Sequence, residues 1–286
     1  MAQILDGRKI AEGLKKNLRK KASDLKKSCG RPLILAAIVI GDDAGSKIYA
    51  QAQKKLCDEL DIEHICESLP STVSLQGIGE CITKLGNQQV TGIIVNQPLP
   101  ESLNHVNIVE TCLNPQHDVE CLHPQNFSKF YLGYKGFAPC TSAAVMELLK
   151  HAGNVDLLGK EIVIIGYSRI IGKPLALMLD ESATITTCHV GTNEDNLRRH
   201  VENADILITA VGKEGFKIQG EWIKENAVII DVATRKTDKG IVGDVDYETA
   251  KKKASFITPV PGGVGPVTNV MLIKNLLYLY KEFKVI

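Results

Sequence analysis

The segment "IVIIGYSRIIGKPLALML" (162–179) decides the fold class. A short β-branched apolar run ends at Gly166, a second glycine follows at Gly172, and a helical pattern begins there. A buried strand that turns through glycine into a helix aims backbone N–H groups and the positive helix end at a phosphate or pyrophosphate. The spacing is GxSxxxG rather than GxGxxG, so these residues alone leave dinucleotide binding and a tight structural turn both open.

Outward from this segment, apolar runs recur as "LILAAIVI" (33–40), "GIIVNQ" (92–97), "TITTCHV" (184–190), "ILITAVG" (206–212), "VIIDV" (228–232) and "FITPV" (256–260). Longer stretches of helical periodicity separate them, which predicts βαβ units and mainly parallel sheets. The turn-rich "GFAPCTSAAVMELLKHAG" (136–153) opens a helix and marks a domain boundary. The expected architecture is two α/β domains, the second a Rossmann-like dinucleotide-binding domain. Residues 1–142 with 269–286 make the first domain and 143–268 the second. The last helix, expected over 269–283, returns to the first domain.

At 286 residues with 44% hydrophobic content, the chain is long enough for two cores. A net charge of +1 with interspersed signs argues against a nucleic-acid surface, and the basic run at 15–27 reads as a solvated helix face. The eight cysteines form no CxxC pair and the seven histidines no HxxxH or HxH, so free thiols in a reducing cytosol and no dedicated metal site are expected. No signal-peptide core and no apolar run of about 18 residues is present. The expectation is a cytoplasmic protein without membrane partners.

"ITPVPGGVGPVT" (257–268) packs three glycines and three prolines into a rigid loop suited to lying against a flat ligand or another backbone. Composition alone slightly favours a structural turn between domains. "GIIVNQPLPES" (92–102) and "NPQHDVECLHPQN" (114–126) place polar residues where strands end, the ligand-binding position of open α/β sheets. His117 and His123 read as loop-surface residues, Cys140 as packed rather than nucleophilic, and Trp222 as packing a helix onto a sheet.

In order, and over essentially the whole chain, "GDDAGSKIYAQAQKK", "IIVNQPLP", "NPQHDVECLHPQN", "FAPCTS", "IGYSRIIGKP", "CHVGT", "ENADILITAVGK", "IIDV", "GDV" and "ITPVPGGVGPVT" resemble the methylenetetrahydrofolate dehydrogenase/cyclohydrolase family of the FolD type. The resemblance implies NAD(P)-dependent oxidation of 5,10-methylenetetrahydrofolate, with hydrolysis of the methenyl product in most members. It also implies folate held between the two domains and a homodimer. Carried over by resemblance, the catalytic positions are Tyr49, Gln53, Asn96 and Glu120. Substrate contacts add Pro98, Leu99, Gly262, Gly263 and Pro266. The cofactor positions are Gly166, Tyr167, Ser168, Arg169, Ile170, Gly172, Val190, Thr192, Val211, Gly212 and Thr234.

Several of these positions depart from the family pattern. Where the family has lysine four residues after the tyrosine, this chain has Gln53. Four residues advance a helix by roughly 400°, back onto the face of Tyr49, whereas Lys54 falls roughly 100° further round. A glutamine has no useful proton to give or take near neutral pH. Asn96 stands for a glutamine, Glu120 for an aspartate that grips the pterin's amino-pyrimidine edge, and Cys121 for a glycine. A dehydrogenase with weak or lost cyclohydrolase activity is therefore expected. The alternatives are a fully bifunctional enzyme and a non-catalytic folate or nucleotide binder, or an enzyme acting on another one-carbon carrier. Tyr167 and Val190 replace the arginine and serine that serve a 2′-phosphate, which leans the expectation from NADP toward NAD, with Arg169 near enough in sequence to substitute. Ala233 and Thr234 replace Gly-Ile on the nicotinamide side.

Overall fold

β-branched runs become strands and the intervening periodic segments become helices. The computed structural model describes residues 2–283 apart from 154 and 239, with the side chains of Cys29 and Val106 outside the described residues. The chain opens with β1 (Gln3–Ile4) and α1 (Gly7–Cys29), then alternates β2 (Ile34–Ile40), α2 (Ala44–Glu59), β3 (Glu63–Leu69), α3 (Leu75–Asn87) and β4 (Gly92–Val95). Three helices follow: α4 (His105–Cys112), α5 (Pro124–Tyr131) and α6 (Cys140–Lys150). Alternation resumes with β5 (Glu161–Ile165), α7 (Gly172–Leu179), β6 (Thr184–Cys188), α8 (Glu194–Asn203), β7 (Ile206–Thr209) and β8 (Val228–Asp231). A small hairpin, β9 (Arg235–Thr237) and β10 (Gly240–Val242), precedes α9 (Tyr247–Ala250), β11 (Phe256–Ile257) and the long α10 (Val264–Glu282).

The chain divides into two units, Met1–Glu12 with Thr141–Thr268 and Gly13–Cys140 with Asn269–Ile286. In the first, six parallel strands run in the order β1-β11-β8-β7-β5-β6. Val163, Ile165, Leu207, Ile229, Ile257 and the buried Trp222 fill its core. The opening residues, expected with the other domain, belong here because β1 pairs with β11 through Gln3↔Phe256 and Ile4↔Ile257.

In the second unit three parallel strands run β3-β2-β4, with Ala36, Ile38, Ile82, Ile93 and Ile108 in the core. The C-terminal part of α10 packs here, as expected. Asn275 donates to the carbonyls of Val119 at 3.0 Å and Ala138 at 2.8 Å, and the Tyr280 hydroxyl donates to the Arg31 carbonyl at 2.7 Å. That helix begins at Val264, five residues earlier than its periodicity predicts. Pro266 falls in its first turn, where a missing N–H costs nothing because those donors have no helical acceptor.

The basic face of α1 is only partly free in solvent. Lys15 pairs with Glu59 at 2.7 Å, and the Arg19 guanidinium donates to the Glu59 carbonyl at the end of α2, where cations meet the negative end of the helix.

Candidate active site

In the three-stranded unit, β2 is central, β3 lies on one side and β4 on the other. The order therefore reverses between β2 and β4, and the crevice at their carboxyl ends is the ligand position of an open parallel sheet. Asn96 is the residue at the end of β4, held by its own N–H on the Ile38 carbonyl at 2.9 Å. The helix after β2 is started by Asp43, whose carboxylate caps the Ser46 N–H at 2.8 Å. Ser46, Ala50, Gln53, Leu56 and Cys57 form its buried stripe, so Gln53 is a polar side chain in a core-facing position.

Gln53 and Asn96 are each 1% exposed. Gln53 Nε2 donates to Asn96 Oδ1 at 3.0 Å, and Asn96 Nδ2 donates back to Gln53 Oε1 at 3.4 Å. Each amide satisfies the other in a place where a lone polar group would be costly. Lys54 is turned away as helix geometry predicts, more than half exposed and paired with Asp58 at 3.0 Å. Leu99 packs against the core beyond Asn96, whereas Pro98 is exposed; the Pro98 carbonyl accepts the Ser46 hydroxyl at 3.2 Å.

Glu120 stands on a loop fixed by Asp118, which is 1% exposed. One Asp118 oxygen accepts the Glu120 N–H at 3.2 Å, and the other accepts the His123 N–H at 2.9 Å and the Asn126 amide at 3.0 Å. Burial raises the Asp118 carboxyl above its ordinary range, against the lowering effect of these donors. Cys121 keeps a left-handed backbone at φ 59° although it is not glycine, a conformation that costs a side-chain-bearing residue about 1–2 kcal/mol. Tyr49 is half-buried; burial first, with the charge of Glu120 beside it, pushes its phenol well above the ordinary range and keeps it protonated. Cys140 is packed, as its surroundings in the sequence imply. Its thiol donates to the Val119 carbonyl at 3.5 Å, it accepts Asn275 at 3.3 Å, and burial holds it un-ionised.

In the six-stranded unit the order reverses between β5 and β7, and Gly166 and Ala210 follow those strands. Gly166 has φ 102°, and a Cβ there would lie 2.5 Å from the Ala210 carbonyl. A Cβ on Gly172 would lie 2.0 Å from the Gly166 carbonyl, so both glycines are required for α7 to start directly behind the strand turn. Ser168 Oγ accepts the Ile171 N–H at 3.1 Å and closes the loop. This cradle fits a dinucleotide pyrophosphate: tight glycine turn, close backbone, helix N-terminus. Tyr167, Ser168 and Arg169 are exposed along it, Ile170 is half-buried, and Val190 is fully exposed. Thr192 accepts the His189 N–H at 3.1 Å.

Against the cradle, the turn after β7 is held by Asp244, which is fully buried. Its carboxylate accepts the Thr209 hydroxyl and the Val211 N–H, both at 2.7 Å, and the Gly212 N–H at 3.0 Å. Asp231, at the end of β8, accepts the Ala233 and Val245 N–H groups. Burial, with the charge of Asp244, pushes Asp231 up to about 7 against those N–H donors. Thr234 follows, exposed. Gly262, Gly263 and Pro266 lie in the same unit, where a Cβ on Gly7 would strike the Gly263 carbonyl and the Arg8 guanidinium stands near Gly262. The glycine-rich loop therefore lies against another backbone segment.

Sequence reading missed Asp118, Asp231, Asp244 and His105. The acids occur in "HDV", "IIDV" and "GDV", each directly before a valine, which is the signal that would have found them. His117 and His123 are half-buried rather than on the loop surface. Burial lowers the His117 imidazole, and His123 Nδ1 caps α5 by accepting the Gln125 N–H at 3.1 Å.

A doubly wound parallel unit with a glycine cradle, joined to a smaller parallel unit with a buried polar strand end, defines a two-domain α/β protein of the nucleotide-binding kind. The chain belongs to the tetrahydrofolate dehydrogenase/cyclohydrolase family: its catalytic-domain profile matches residues 5–120 and its NAD(P)-binding-domain profile residues 139–284. The bifunctional protein FolD of Nitratiruptor sp. is 40% identical over 99% of both chains, and that of Acetivibrio thermocellus 43% identical over 96% of this chain and 95% of its own. Among solved structures, the Trypanosoma brucei methylenetetrahydrofolate dehydrogenase-cyclohydrolase complexed with NADP and inhibitor superposes with a TM-score of 0.91 at 34% identity, covering 98% of each chain. The bifunctional FolD of Campylobacter jejuni gives 0.88 at 36% identity, covering 99% of each.

Proposed function

We propose that the protein is an NAD(P)-dependent 5,10-methylenetetrahydrofolate dehydrogenase whose methenyltetrahydrofolate cyclohydrolase activity is weak or lost. The observation that carries this reading is the reciprocal Gln53–Asn96 amide pair at the end of β4. When bound, the nicotinamide supplies the two-electron acceptor that takes hydride from the substrate's methylene carbon. That step asks the protein for binding and orientation, which Tyr49, Leu99 and Glu120 supply on the folate side and the Gly166–Gly172 cradle on the cofactor side.

Hydrolysis asks for more, because water must be activated. Gln53 has no titratable proton, the Tyr49 phenol stays protonated, and Lys54 is held outward by Asp58. The relatives' bifunctional character favours a second reading, a complete dehydrogenase/cyclohydrolase, in which a group other than Gln53 activates the water. Following the 10-formyl product from purified methenyltetrahydrofolate separates the two. A rate at the buffer-catalysed level supports the first reading, and a rate far above it supports the second.

The cofactor reading favours NAD over NADP. Tyr167 offers a 2′-phosphate no guanidinium and the fully exposed Val190 no donor at all, although Lys173 Nζ stands 5.5 Å from the Tyr167 ring centroid. Residues 13–140 with the C-terminal helix form the folate-binding part in this reading. A cytoplasmic homodimer belongs to it by family likeness; among the described residues no helix is long and apolar enough to cross a membrane.

A further inference from the structure

His105 is the first residue of α4 and is 7% exposed. Its Nε2 lies 3.5 Å from Glu120 Oε2 and makes no well-formed hydrogen bond. A cation at a helix N-terminus meets the positive end of the dipole, and a buried one is desolvated as well. Burial does oppose the charge, yet the contact with Glu120, the charges of Glu120 and Asp118 and the Val95 carbonyl outweigh it, so the imidazole holds its proton above the ordinary 6.5. Tyr49 and Cys140 face the same carboxylate from α2 and α6.

We propose that His105 is a positioning residue for Glu120, its Nε2, 3.5 Å from Oε2, drawing the longer carboxylate back so that its remaining lone pairs meet the donor edge of the substrate's amino-pyrimidine ring. This rests on the folate reading above. Glutamate reaches one methylene further than aspartate, and a fixed loop, tied down through Asp118, cannot retract to absorb it. A pull from behind does so instead. Each carboxylate oxygen accepts two hydrogen bonds, so Oε2 serves His105 and the ligand together. Glu120 is 19% exposed, leaving one side for a ligand.

The test combines kinetics with titration. His105→Asn should raise KM for 5,10-methylenetetrahydrofolate about tenfold at pH 6.5 with kcat within about twofold, the loss expected when the carboxylate no longer forms one charge-assisted hydrogen bond to the substrate. The wild-type KM should rise as pH climbs above 6.5, and the variant should lack that rise. Adding Glu120→Asp to His105→Asn should recover most of the lost affinity, since the shorter acid needs no retraction; a merely structural histidine would not be rescued. By NMR, Glu120→Gln should lower the His105 titration midpoint in the substrate-free protein. An unmoved midpoint, or a KM insensitive to both His105 and pH in an active enzyme, overturns the proposal while the dehydrogenase assignment stands. If wild-type protein neither turns over nor binds the folate, both fall together.

Discussion

Gln53 and Asn96 occupy each other's hydrogen-bonding capacity at the end of β4, donating at 3.0 Å in one direction and 3.4 Å in the other. A buried glutamine needs a hydrogen-bonding partner, and Asn96, an amide like the family's glutamine but one methylene shorter, supplies it. A lysine in this position would bring a charge and a proton to the site; the amide pair brings neither.

Gln53→Lys together with Asn96→Gln should restore hydrolysis of methenyltetrahydrofolate by at least tenfold, toward the roughly 10²–10⁴-fold that general acid–base help supplies. Decay of the methenyl chromophore measures it. Gln53→Lys alone should gain less, and should lower stability by about 1–3 kcal/mol in urea denaturation because the paired amide is lost.

The cradle was legible in the sequence because glycine is the only residue that serves two purposes there: positive φ at Gly166 and contact with backbone at Gly172. The phase of Lys54 was legible for an equally local reason, the pitch of a helix. β3 was not seen, because "EHICESL" is an edge strand with charged and half-exposed residues and lacks the apolar run of a central one. Asp231 and Asp244 were not singled out because the Val245 N–H and the Val211 and Gly212 N–H groups reach them from distant parts of the chain, whereas Asp118, whose donors lie within eight residues, was passed over because its burial does not show in a polar segment. Likewise, nothing local relates His105 to Glu120 fifteen residues on.

Asp244→Ala should weaken cofactor binding before it affects the folate side. It strands the Val211 and Gly212 N–H groups and the Thr209 hydroxyl, a loss of about 1–3 kcal/mol for each one left buried and unpaired. A cofactor KM raised at least tenfold, with a lowered melting temperature, is the expected outcome; an unchanged cofactor KM would remove Asp244 from the account.

Tyr167→Arg with Val190→Ser should raise the NADP to NAD ratio of kcat/KM by at least tenfold, because charge-assisted hydrogen bonds to a phosphate are each worth about 1.5–3 kcal/mol. Steady-state kinetics with both cofactors decides it.

His105 also predicts a pH dependence of stability. Its folded pKa is raised, so the stabilisation is fully present below the unfolded value of 6.5 and is lost as pH rises through the folded value. The stability advantage of wild type over His105→Asn in urea should therefore be largest near pH 6 and shrink above 6.5. An advantage that grows with pH would reverse the assignment.

The central claim is that oxidation has been kept and hydrolysis has not. Its most direct measurement is a time course with 5,10-methylenetetrahydrofolate and each nicotinamide cofactor, resolving reduced cofactor, methenyl and 10-formyl products separately. The account predicts reduced cofactor formed together with accumulating methenyltetrahydrofolate. Formation of the 10-formyl product in step with reduced cofactor would contradict it.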